Sequence, residues 1–198
     1  MTYIIAEIGI NHNGSISNVI KLAKLAKKAK ADAIKIQTFE PEDVMVKDLG
    51  KAPYQKENCK KSIFKTISEC KLNYKEHLQI KNLCKKIKID FLSSPFDMKS
   101  AKFLVEKLKI KKIKIPSGEI TNYPLIEYLG RKNIELIIST GMSNIKEINN
   151  TLEILKKNGH KARKTLLHCT TSYPTVSEDV NLLAIKTLKE KFKLNVGY

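Results

Sequence analysis

Tryptophan is absent from this chain, arginine is nearly so, and no apolar run is long enough to span a bilayer. A spanning helix needs about 20 consecutive apolar residues, so no membrane partner is expected. The N-terminal Met1-Thr2-Tyr3-Ile4-Ile5-Ala6-Glu7 lacks a basic leader, and an acid interrupts its apolar stretch early, unlike a secretory signal. A cytoplasmic protein is the expectation. Cys59, Cys70, Cys84 and Cys169 form no CxxC pair and no metal-ligand spacing. Reduced cytosolic thiols fit them best. There is also no GxGxxG and no Walker loop, the usual nucleotide-phosphate cradles.

What is abundant is lysine. The net charge is +17 over 198 residues, yet of 37 basic side chains only Arg131 and Arg163 are arginines. Base readout and forked phosphate contacts favour arginine. The lysines spread along helix-like segments, as at Lys21, Lys24, Lys27, Lys28 and Lys30. That spread suits solvated helix faces better than a nucleic-acid stripe, and no nucleic-acid partner is expected. A positive field still attracts anionic substrates. With 42% hydrophobic and 29% charged residues, the composition suits one sizeable globular domain.

Short β-branched runs alternate with longer amphipathic ones. Strands are predicted at Tyr3–Ile8, Ala33–Thr38, Asp90–Ser93, Lys112–Ile115, Leu136–Ser139, Thr165–His168 and Asn195–Tyr198. Helices are predicted at Ile16–Ala29 with Ser15 as cap, and at Tyr74–Ile87, Met98–Leu108, Tyr123–Gly130, Ile145–Lys157 and Asp179–Phe192. A polar insertion runs from about Glu40 to Asn73, with a short helix at Ser62–Cys70.

Such alternation means parallel strands with helices packed outside. A doubly wound sheet and a (β/α)8 barrel compete. Polar and small residues recur just after six strands: Asn11-His12-Asn13-Gly14, Gln37-Thr38, Ser93-Ser94-Pro95, Ser117-Gly118-Glu119, Thr140-Gly141 and Thr170-Thr171-Ser172. A barrel gathers every strand end at one mouth, whereas an open sheet concentrates chemistry at one switch point. The pattern favours a TIM-type (β/α)8 barrel, cut short after about six and a half βα units. The whole of residues 1–198 is then an incomplete barrel domain.

These strand-end motifs, in order, resemble the N-acetylneuraminate (sialic acid) synthase family and its legionaminic acid synthase-like relatives. They are Ala6-Glu7-Ile8-Gly9-Ile10-Asn11-His12-Asn13-Gly14, Lys35-Ile36-Gln37-Thr38-Phe39, Tyr54-Gln55-Lys56-Glu57-Asn58, Ser93-Ser94-Pro95-Phe96-Asp97, Lys114-Ile115-Pro116-Ser117-Gly118-Glu119, Ser139-Thr140-Gly141-Met142, His168-Cys169-Thr170-Thr171-Ser172-Tyr173-Pro174 and Val196-Gly197-Tyr198. The resemblance implies a transferase that condenses phosphoenolpyruvate with N-acetylmannosamine or a related N-acyl amino sugar, releasing phosphate and a nonulosonic acid. It implies a C-terminal antifreeze-like domain, a homodimer, and a divalent metal, Mn2+ or Mg2+. Alternatives are a legionaminic or pseudaminic acid synthase, or a truncated, non-catalytic remnant.

The resemblance also implies roles. Lys35 and Lys114 become phosphate ligands, each sitting in an apolar run where an unpaired charge is costly. Ser94, Ser117 and Ser139 become hydroxyl donors to phosphate. Gly118 and Gly141 let backbone approach the ligand. Glu119 is the candidate acid/base, with Glu7 a second catalytic carboxylate. Gln37, Asn58 and Tyr173 hold the sugar, and Thr171, where some relatives carry asparagine, contacts phosphate or sugar. No residue of this chain is assigned to the metal: its histidines are expected in a Ser-Asp-His and a His-Phe segment beyond Tyr198. His12 and His168 are expected to be structural or hydrogen-bonding residues, and His77 and His160 to lie at the surface.

Overall fold

The computed structural model describes residues 1–47 and 62–198. They form two compact units, Met1–Lys109 and Ile110–Tyr198.

The first unit contains β1 (Ile5–Gly9), α1 (Ile16–Lys28), β2 (Ala33–Thr38), α2 (Pro41–Val44), α3 (Ile63–Glu69), α4 (Tyr74–Ile87), β3 (Asp90–Pro95) and α5 (Met98–Lys102). The three strands are parallel, in the order β1-β2-β3. Ile34 and Ile36 of β2 are fully buried in a cluster with Val19, Ala23 and Ala26 of α1 and Ile80 and Cys84 of α4. The period of two then puts Lys35 and Gln37 on the opposite face of the sheet. Helix α1 starts where Ser15 Oγ accepts from the Asn18 N–H at 3.3 Å. Helix α4 starts at a reciprocal capping box of Asn73 and Glu76. The helix expected over Met98–Leu108 is α-helical only to Lys102 and then widens to a π-helical turn, Phe103–Lys107. The insertion also holds an unexpected turn of helix, α2. Its start is tied down by Glu40, which pairs with Lys71 and accepts from the Tyr74 hydroxyl at 3.2 Å.

The second unit contains β4 (Lys112–Ile115), a 3-10 turn Ser117–Glu119, α6 (Tyr123–Lys132), β5 (Glu135–Ser139), α7 (Ile145–Lys157), β6 (Lys164–Leu167), a 3-10 turn Ser177–Asp179, α8 (Leu183–Phe192) and β7 (Asn195–Gly197). The strands pair in parallel in the order β4-β5-β6-β7. Ile113, Ile115, Leu136, Ile138 and Leu166 are buried, as are Leu125, Ile126, Leu129, Ile148 and Leu155 of the helices. The last helix was expected from Asp179 but begins at Leu183. Asn181 stands at φ +43°, a left-handed conformation that breaks the helix, so Asp179 ends a separate turn.

In both units strand order follows chain order, each strand joined to its parallel neighbour through a helical segment. A doubly wound sheet reverses its order at a switch point; neither unit does. This is the winding of a (β/α) barrel, with seven strands among the described residues.

Candidate functional site

In the first unit the site is built around Lys35. Glu7 of β1 stands in register with Lys35 of β2, and the register slips between Glu7 and Gly9. Gly9 adopts φ +56°, and a Cβ there would lie 3.1 Å from Glu7 Oε1, so glycine leaves room for the carboxylate. Glu7 pairs with the Lys35 ammonium, which also donates to Ser94 Oγ at 3.4 Å. Lys35 is only 8% exposed, and its two partners answer the cost of burying an ammonium. Ser94 is buried beside it, and Gln37, paired in register with Ser94, is half-buried.

The adjacent Ser93 faces the other way. Its hydroxyl lies 2.6 Å from Thr38 Oγ1, which lies 2.8 Å from His77 Nε2. His77 Nδ1 donates to the Asn73 carbonyl at 2.9 Å, which leaves Nε2 to accept from Thr38. Sequence reasoning missed this network and expected His77 and His160 at the surface. Both are buried, at 1% and 5% exposure. His77 falls in line with Ile80 and Cys84 on the buried face of α4, a spacing that would have revealed it. His160 donates to the Ile134 carbonyl at 2.8 Å and accepts from Lys164 at 3.3 Å. His12 is also buried, and its Nδ1 accepts from the Gly14 N–H at 3.0 Å. Burial pushes His12, His77 and His160 below the ordinary histidine pKa.

In the second unit three strand ends meet at Gly141. Its N–H donates to Ser117 Oγ at 3.1 Å. A Cβ at Gly141 would lie 2.5 Å from Thr171 Oγ1, 2.8 Å from Ser117 Oγ and 3.2 Å from the Cys169 carbonyl oxygen. Only glycine allows that approach. Nothing lies within 4 Å of a Cβ built on Gly118. Ser139, the last residue of β5, is fully buried, and its Oγ accepts from the Cys169 thiol at 3.4 Å. Glu119 closes the 3-10 turn after β4, half-buried, and its carboxylate accepts from Asn122 Nδ2 at 2.7 Å. Lys114 lies half-buried on β4. His168 Nε2 donates to the Val180 carbonyl at 2.7 Å, a hydrogen-bonding role as expected.

Of the other expected sugar contacts, Tyr173 is 76% exposed on the loop after β6, and Asn58, with the whole Tyr54–Asn58 motif, lies outside the described residues. A cleft of about 730 Å3 between α7 and α8 touches Thr140, His168 and Cys169 but not Ser117, Ser139 or Thr171. Among the described residues no group of three or more His, Cys, Asp or Glu side chains could hold a metal ion.

The profile of the NeuB family matches residues 22–198. The chain belongs to the NeuB family. It is 44% identical, over its whole length, to an N,N'-diacetyllegionaminic acid synthase of Campylobacter jejuni, of which it covers 60%. It is 34% identical over 98% of its length to a pseudaminic acid synthase of the same species, covering 57% of that protein. A crystal structure of an N-acetylneuraminic acid synthetase from Leptospira borgpetersenii superposes with a TM-score of 0.88 at 33% identity, covering 99% of this chain and 64% of that one. The chain thus spans a little over half to about two thirds of the length of these NeuB relatives.

Proposed function

We propose that residues 1–198 are the N-terminal part of the catalytic barrel of a nonulosonic acid synthase. It condenses phosphoenolpyruvate with an N-acyl amino sugar and releases phosphate. The observation that carries this reading is Lys35: a buried ammonium within β2, held between a carboxylate and a serine hydroxyl, in a chain of the NeuB family. Higher identity to a legionaminic than to a pseudaminic acid synthase favours the former type of sugar.

In this reading Lys35 and Lys114 bind the phosphate as point charges, and Ser94, Ser117 and Ser139 donate to its oxygens. Glu7 orients Lys35 and neutralises part of its charge. Gln37, Asn58 and Tyr173 hold the sugar, and Thr171 contacts phosphate or sugar. C3 of the enolpyruvate attacks the sugar aldehyde, forming the carbon–carbon bond. Water adds at C2, the C2–O bond breaks, and phosphate leaves. Glu119, aligned by Asn122, moves the proton between water and the nascent hydroxyl.

The divalent metal, Mn2+ or Mg2+, finds no ligand set among the described residues, and its ligands are assigned outside residues 1–198. A homodimeric, cytoplasmic enzyme completes the proposal. The test is an assay of the full-length gene product with phosphoenolpyruvate, a divalent metal and N-acyl sugars of the mannosamine and legionaminate-precursor types. Stoichiometric phosphate and nonulosonic acid are expected. No product with any of these sugars would sink the reading.

A further inference from the structure

An oxyanion needs hydrogen-bond donors, but a serine hydroxyl carries one proton and two lone pairs and turns to suit its neighbours. Ser117 and Ser139 are not left to turn freely. The Gly141 N–H donates to Ser117 Oγ at 3.1 Å, and the Cys169 thiol donates to Ser139 Oγ at 3.4 Å. The Gly141 amide is a fixed donor that fills a lone pair of Ser117, and the Cys169 thiol, when it donates, fills one of Ser139, so each serine proton points elsewhere. The opposite direction, Ser139 donating to sulfur, would spend the proton of a fully buried hydroxyl on a weak acceptor. A side chain at Gly141 would strike Thr171 and Ser117, so only glycine lets this amide approach Ser117. The same polarity recurs at Ser94, which accepts from Lys35, an ammonium with donors only. All three serines therefore accept from the protein and keep a proton to give.

We infer that Cys169 is a positioning residue: with the Gly141 amide, its thiol presets Ser139 and Ser117 as donors to a phosphate-bearing substrate. The inference rests on the synthase reading above. It goes beyond that reading by giving a role to a side chain that touches Ser139.

The test uses the full-length gene product with the variants Cys169→Ala, Cys169→Ser, Ser139→Ala and the double variant Cys169→Ala/Ser139→Ala. Phosphoenolpyruvate binding is followed by calorimetry, alongside the KM for each substrate and kcat. Losing one neutral hydrogen bond that orients a donor should weaken phosphoenolpyruvate binding by about 3- to 10-fold in Cys169→Ala. The sugar KM should stay within about twofold, and Cys169→Ser, which keeps a donor, should restore binding. In the Ser139→Ala background Cys169→Ala should cost nothing further. If the alanine variant does not fold, Cys169→Val fills the volume without a donor and takes its place. Three results would overturn the inference while leaving the synthase reading intact: a silent Cys169→Ala, a serine variant no better than alanine, or an undiminished loss in the double variant. A wild-type protein that binds no phosphoenolpyruvate would remove both.

Discussion

Lys35, inside β2, and Glu119, in the turn after β4, are proposed for opposite tasks, and their surroundings differ. Lys35 sits in the buried face of its sheet with a carboxylate and a hydroxyl for company. Glu119 sits half-buried on a one-turn helix, held by a single amide. The first environment keeps a charge fixed; the second leaves a carboxylate accessible. In the full-length protein, Lys114→Ala should raise the KM for phosphoenolpyruvate with little change in sugar KM. Glu119→Gln should leave both KM values near wild type and lower kcat by about 10²-fold or more. Steady-state kinetics on the two variants checks both, and an unchanged kcat in Glu119→Gln would remove it from acid/base work.

Helix α4 shows how an element is specified at both ends and along one face. Asn73 and Glu76 close its first turn, Lys85 and Lys86 complement its last, and Lys88 ends it in a left-handed conformation at φ +56°. Asn73→Ala removes one capping bond and should cost about 1 kcal/mol, read as a lower urea midpoint at constant slope. The same helix carries the buried His77. Its native pKa lies below the ordinary 6.5 because burial disfavours the charged form. The native state then resists a proton that the unfolded chain accepts. Stability is full above about pH 6.5 and is lost as pH falls towards the depressed native value. His12 and His160 act in the same direction. Urea unfolding between pH 8 and pH 5 should show this loss, and His77→Gln should flatten it. An equal slope in the variant would assign the effect to the other histidines.

At the scale of the molecule, the described residues supply phosphate-binding candidates in each unit but no metal ligand set. The chain spans 60% of the legionaminic acid synthase it matches, and by itself it is expected to release little or no phosphate from phosphoenolpyruvate and sugar. Robust manganese-dependent release by the isolated chain would contradict this and would place a complete site within these residues. The charge of +17 spreads over a lysine-rich surface. No described helix is long and apolar enough to cross a membrane.

Local signals were enough for most elements. The boundaries of β2, α4, β4 and α7 follow from apolar period and capping residues, because both act within one turn or one strand. The ordered strand-end motifs were enough for the family, since each is a short contiguous run. Relations across long stretches of chain were decided only by tertiary structure. Glu7 meets Lys35 because the parallel pairing of β1 with β2 puts the two in register, 28 residues apart in the chain. Cys169 meets Ser139 because neighbouring parallel strands end side by side, 30 residues apart in the chain. His77 is buried because α4 turns the face that bears it towards Thr38, a contact 39 residues away. Composition and periodicity settle what a residue prefers; register and packing decide which partner it finds.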